Sequence, residues 1–180
     1  MCKKFIPYAH GQNIFDVDIT FFVSHNIKTL LVDLDNTLDS YRATEPSKRV
    51  LELKSDLDKA NIELIVISNN KEKRVSHYAQ QLGVRFLFST HKPFTRRLKK
   101  FIKDNNIDIN NTMLVGDQLI TDVLMANNAK LRVLLTEKLV KEDQWTTHIN
   151  RIFDRPIRRY LAKKGKLVDW RDKLWCLKKR

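Results

Sequence analysis

Glycine is scarce in this sequence. Across 180 residues only Gly11, Gly83, Gly116 and Gly165 occur, too few and too scattered to write a Walker phosphate loop or a GxGxxG dinucleotide turn. Nucleotide-binding folds built on those turns are therefore excluded. Cysteine is scarcer still: Cys2 and Cys176 stand at opposite ends, which rules out a disulfide framework and a CxxC metal pair and points to a reducing compartment. No apolar run approaches the ~20 residues that a membrane-spanning helix needs. The first twelve residues carry two lysines but break at Pro7 before any long apolar stretch develops, unlike a secretion signal. The expectation is a cytoplasmic protein, at most peripheral at a membrane. His10, His25, His77, His91 and His148 show no metal spacing such as HxxxH and read as structural or surface residues. Hairpin dipeptides such as Asn-Gly are missing too.

What the chain does have is positive charge. Against 21 Asp+Glu stand 34 Lys+Arg, for a net +13 and a pI near 9.8. Residues 150–180 hold twelve basic and three acidic side chains, a net of +9, which leaves +4 for the first 149. Such asymmetry suits a polyanionic partner, either nucleic acid or anionic lipid, although a solvated tail without a partner would look the same. The 42% hydrophobic content over this length fits one buried core.

Five apolar runs alternate with helical patterns. The runs are 29–34, 62–68, 85–88, 112–116 and 131–135; residues 5–25 carry apolar side chains without a sustained period and read as a lead-in with a short helix. Strands alternating with helices imply right-handed crossovers and a doubly wound parallel sheet of about five strands. In such sheets ligands sit beyond the carboxyl ends of the strands. There the polar residues gather: Asp33 and Asp35 after the first run, Ser68 and Asn69 after the second, Lys92 beyond the third, and Asp117 with Asp122 after the fourth.

The residues 33–37, DLDNT, can be read as a simple turn, with Asp35 or Asn36 starting a loop. In a continuing strand, however, Asp33 and Asp35 would share one side, and four polar strand ends on one edge exceed what turns alone require. Phosphoryl transfer needs an in-line nucleophile, a proton donor for the leaving oxygen and positive charge around the phosphoryl group. An Asp carboxylate can attack phosphorus, and a second carboxylate can move the proton. Clustered Asp33, Asp35 and Asp117 would repel one another without a cation, which argues for Mg²⁺, a hard ion suited to oxygen ligands. Ser68 and Asn69 offer neutral donors to phosphate oxygens, and Lys92 a point charge.

These residues resemble, in order, the four motifs of the haloacid dehalogenase (HAD) phosphatase superfamily: DLDNT, Ser68, Lys92-Pro93, and Gly116-Asp117 with Asp122. The segments IKTLLVDLDNTL, VISNN with Arg74-Val75, VGDQLITDVLMAN, and residues 145–155 with Thr147, Asn150-Arg151 and Arg155 are similar to the YqeG family of subfamily IIIA. The resemblance implies a Rossmann-like three-layer fold in which Asp33 is the nucleophile and Asp35 the general acid/base. It further implies Asp33, the Asp35 backbone carbonyl and Asp117 around Mg²⁺, and Ser68 and Lys92 on the phosphate. Asp122 would orient the metal's waters or Lys92, and Thr37 with Asn36 would shape the turn. The sequence departs from the family at residues 126–130, Ala-Asn-Asn-Ala-Lys, where Asn-Arg followed by a glycine is usual, and at His91, where a small residue or lysine is commoner.

The expected organisation is a HAD-like phosphatase domain over 1–149 and a basic amphipathic extension over 150–180, on or adjacent to the same domain. About ten residues separate Asp35 from the next helix and three separate Phe88 from Lys92, so no cap domain is expected. An open site relies on its substrate to exclude water, which favours a lipid, a protein or a nucleic-acid end. Eukaryotic relatives resemble phosphatidylglycerophosphate phosphatases, which implies a lipid phosphate. Alternatives of other classes are a phosphatase of RNA ends or phosphoproteins and a non-catalytic RNA- or ribosome-associated module. Apolar stripes through Ile149, Ile152, Phe153, Tyr160 and Leu161, interrupted by Pro156, and through Leu167, Trp170, Leu174 and Leu177, suit either packing on the domain or an anionic membrane surface. Oligomeric state is not readable.

Overall fold

Apolar runs with no polar face pair in parallel where both faces of a sheet are covered. In the computed structural model, which describes residues 2–140 and 145–178 (side chains of 2, 145–153 and 177–178 excepted), those runs become five strands. They are β2 (Thr29–Asp33), β3 (Glu63–Ile67), β4 (Arg85–Leu87), β5 (Thr112–Gly116) and β6 (Arg132–Thr136). A sixth strand, β1 (Ala9–Gly11), lies in the stretch expected to be a lead-in, and the short helix expected there is α1 (Ile19–Ser24). The sheet is parallel throughout, in the order β1-β6-β5-β2-β3-β4. β1 is too short for a periodic signal and exists through its neighbours: Ala9 registers with Leu134, and His10 N–H donates to Val168 O at 2.8 Å on the other side.

Between the strands run α2 (Lys48–Lys59), α3 (Glu72–Leu82), α4 (Arg96–Asp104) and α5 (Leu124–Ala129). Val50, Leu53 and Leu57 of α2, at the spacing of one helical face, are buried together. Gly83 closes α3 at φ +69° as the expected C-cap. Residues at both departures from the family pattern adopt positive φ: Lys130 (+63°), just past α5, and His91 (+55°). A left-handed conformation costs a side-chain-bearing residue about 1 kcal/mol, so Lys130 occupies a position that favours glycine.

Strand alternation splits the core into two layers. Leu30, Val32, Val66 and Val115 face Phe21, Leu57, Val75 and Tyr78; Leu31, Ile65, Ile67 and Leu114 face Leu98, Ile102, Val123 and Leu161. The result is a three-layer α/β fold. Neither residues 34–47 nor 88–95 add a helix or sheet strand, so no cap domain is inserted among the described residues.

Two further helices, α6 (Trp145–Lys163) and α7 (Trp170–Lys178), complete the chain. Pro156 does not interrupt the helical face as expected: α6 runs through it, since a proline removes only one N–H from the ladder. Leu161 is buried in one core layer, while Trp170 is buried in the other, edge-on to Phe21 at 5.9 Å and against Gly11. Trp175 is exposed. The side chains of Thr147, Ile149, Asn150, Arg151, Ile152, Phe153 and Leu177, all singled out from sequence, lie outside the described residues. No described helix is long and apolar enough to cross a membrane.

Candidate active site

β2 leaves the core at Asp33, whose carboxylate is buried beyond the carboxyl end of the sheet. The strand ends there, and Asp33 and Asp35 have separate hydrogen-bond partners, although the Asp35 charge still acts on Asp33. Asp33 Oδ1 accepts from the Lys92 ammonium, which donates a second bond to Asp122 Oδ1 at 2.7 Å. Asp33, Asp117 and Asp122 each present a carboxylate oxygen within 4.8 Å of the others. Thr37 Oγ1 donates to Asp117 Oδ1 at 3.4 Å.

Local backbone explains how so much charge is assembled. Asp122 lies in a π-helical turn (Leu119–Val123) leading into α5, and its Oδ2 accepts from Gln118 N–H at 3.1 Å. A β-carbon at Gly116 would overlap the Asp122 carboxyl, so only glycine lets that acid fold back against the strand end. Lys92 arrives on a loop in which Ser89 and His91 both take positive φ. Asn69, expected on the phosphate, instead braces this loop: its Oδ1 accepts from Thr90 Oγ1 at 2.6 Å and from Lys92 N–H at 2.8 Å.

Burial pushes the Asp33 carboxyl well above its usual range; Lys92 pulls it down, but Asp122, Asp117 and Asp35 push it up again. Burial alone would lower Lys92, yet the carboxylates of Asp122 and Asp33 outweigh it and hold the ammonium above its ordinary value. Lys92 bonds two of the three buried acids, Asp33 and Asp122. The buried all-oxygen donor set fits a hard divalent cation.

Asp35 belongs to a wetter subsite. Its Oδ2 accepts from Ser68 Oγ at 3.2 Å and Asn70 Nδ2 at 2.8 Å, and its Oδ1 from Arg74 at 2.6 Å. Arg74 also donates to Ala43 O at 3.1 Å, fixing the loop after Asp35. Asn70 and Arg74 were not assigned roles from sequence, although they follow directly on the strand end that supplies Ser68. Nearby, Asp39 accepts from Ser47 N–H and from Tyr78 Oη, a structural brace at the start of α2.

Helix α6 reaches the site as well. Asp154 Oδ1 accepts from Leu119 and Ile120 N–H at 2.8 and 3.1 Å, and Arg158 donates to Asp117 O at 2.8 Å and to Glu137 Oε1 at 2.5 Å. The hydrogen bond between His10 and Glu137, and after it the Arg158 guanidinium, hold the Glu137 carboxyl below its ordinary range. No local pattern could reveal a contact made across some forty positions.

A parallel three-layer sheet with this buried acid and lysine cluster beyond its carboxyl edge defines a HAD-type phosphatase. Within that class, the family model described as mitochondrial PGP phosphatase matches residues 2–140, and the chain belongs to that family. The chain is similar to the "Probable phosphatase YqeG" of Bacillus subtilis (strain 168), with 29% identity over 173 residues, 96% of this chain and 100% of that protein. A crystal structure of an uncharacterized protein from Listeria monocytogenes serotype 4b shares the fold, with a TM-score of 0.53 at 14% identity, covering 66% of this chain and 85% of that one.

Proposed function

We propose that the protein is a Mg²⁺-dependent phosphomonoester hydrolase that works through an aspartyl-phosphate on Asp33, with a lipid phosphate such as phosphatidylglycerophosphate as substrate. The observation that carries the reading is the buried Asp33, Asp117 and Asp122 cluster with Lys92 inserted between two of its members. Mg²⁺, held by Asp33, the Asp35 backbone carbonyl and Asp117, would neutralise phosphate charge. Asp33 attacks phosphorus as the ester bond breaks, giving the aspartyl-phosphate and an alcohol. Asp35 gives the leaving oxygen its proton and then takes one from the water that hydrolyses the intermediate. Lys92 and Ser68 hold phosphate oxygens, and Asp122 positions Lys92.

A lipid is supported by the open site, by membership of the mitochondrial PGP phosphatase family and by the basic character of the chain. Phosphate release from phosphatidylglycerophosphate in mixed vesicles, with and without Mg²⁺, tests it against a 5′-phosphorylated RNA and a phosphopeptide. Hydrolysis of the lipid alone, lost in Asp33→Asn, is expected. Preference for RNA or peptide ends would replace the substrate, and no hydrolysis even of a generic aryl phosphate would overturn the enzymatic reading.

A further inference from the structure

We infer that the face formed by Phe94 and the outer side of α4 seats the protein on an anionic bilayer beside its open site, an inference that rests on the lipid-phosphate reading. Phe94 is 73% exposed, the most exposed of the large apolar side chains among the described residues. It stands two residues beyond Lys92, so its Cα lies within about 7 Å of that of the residue whose ammonium enters the carboxylate cluster. Water contact of a whole phenyl ring has no use in the fold, since the ring covers no part of either core layer.

The surroundings of that ring are cationic. α4 buries Leu98 and Ile102 and presents Arg96, Arg97, Lys99, Lys100 and Lys103 against a single acid, Asp104. No acid stands in its first turn; Arg96 and Arg97 are placed there against the helix dipole, an arrangement that an external anion would relieve. Thr90, His91, Phe94, Arg96, Arg97 and Lys100 line one groove of about 460 Å³. An apolar wedge ringed by arginine and lysine matches the boundary between acyl chains and anionic headgroups.

The C-terminal extension is the rival surface, and among its described residues two of the apolar side chains singled out from sequence are packed inward. Leu161 and Trp170 are buried, and Trp175 projects from the helix that flanks β1. β1 and β4 are opposite edges of the sheet, roughly 24 Å apart at the usual strand spacing. Among the described residues, Phe94 is the exposed apolar side chain next to Lys92 in the chain.

The test is co-sedimentation with phosphatidylglycerol/phosphatidylcholine vesicles, which contain no phosphomonoester, so docking is read separately from turnover. Mg²⁺-dependent hydrolysis of a soluble aryl phosphate reports that each variant has an assembled site. Because each surface cation contributes a factor of about five to membrane affinity, Phe94→Ala combined with Arg96→Glu should weaken vesicle binding by at least tenfold and reduce its salt sensitivity. Trp175→Ala should bind like the wild type. The inference is overturned if the wild type does not bind these vesicles, if only Trp175→Ala loses binding, or if the Phe94/Arg96 variant loses binding to single-stranded RNA instead. Vesicle binding without phosphate release from phosphatidylglycerophosphate would leave this docking face standing and remove the lipid-substrate reading.

Discussion

Two aspartates two positions apart occupy unlike halves of one site. Asp33 is buried with Asp117 and Asp122, and the Lys92 ammonium bridges two of the three, Asp33 and Asp122. Asp35 is only partly buried and accepts three hydrogen bonds, from Ser68, Asn70 and Arg74, without a like charge competing for those donors. The same functional group thus becomes, on one side, a buried carboxylate crowded by other acids and, on the other, a partly exposed carboxylate held by three donors. Environment, rather than residue type, sets the two apart.

The sharpest way to break this division is Asp33→Asn. If attack belongs to the buried half, kcat on an aryl phosphate falls by on the order of 10⁵ or more; retention of activity would end the assignment. Asp35→Asn should cost about 10² to 10⁴ in kcat on an aryl phosphate while leaving the cation requirement intact. Lys92→Met should lower kcat by about 10² to 10³. It also leaves the buried acids without their ammonium, so thermal melts in chelator should show a loss equivalent to about 3–5 kcal/mol that added Mg²⁺ largely restores. A loss indifferent to Mg²⁺ would mean that the carboxylates do not share a cation.

The smallest effect is a pH dependence. Burial raises Asp33 above the usual carboxylate value of 3.8, so the cation-free folded protein binds that proton more tightly than the unfolded chain does. The stability this contributes is complete below the usual value and disappears as pH rises through the folded one. In chelator, the melting temperature of the wild type should therefore decline relative to Asp33→Asn as pH climbs from about 4 towards neutrality, and Mg²⁺ should erase the difference. A flat difference would place Asp33 in a wetter setting.

Much of the sheet was readable because its central strands are buried on both faces and each has an apolar centre: Leu30 to Val32 in β2, Leu64 to Ile67 in β3, Met113 to Val115 in β5 and Val133 to Leu135 in β6. β1 was not readable. Three residues whose pairing depends on Leu134 and Val168 leave no period in a local window. The same distinction runs through the site. Strand ends announced Asp33, Ser68 and Asp117, and the loop beyond β4 announced Lys92, because a polar residue following a buried run is conspicuous. The turn of Asn69 toward Thr90 and Lys92, and the reach of Arg74 to Asp35, depend on loops closing over one another, and nothing in their own neighbours encodes that. Asp122 was seen as an accessory; its proximity to Asp33 and Asp117 follows from the missing side chain at Gly116.

Asp154 and Arg158 give the far end of the chain a practical significance. Cutting the protein ahead of residue 154 would deprive the Leu119 and Ile120 amides of their acceptor and the Asp117 carbonyl of its guanidinium donor. Every proposed catalytic side chain would still be present. A protease that clipped the chain there would disarm the site from behind, and the C-terminus is correspondingly a poor place to trim.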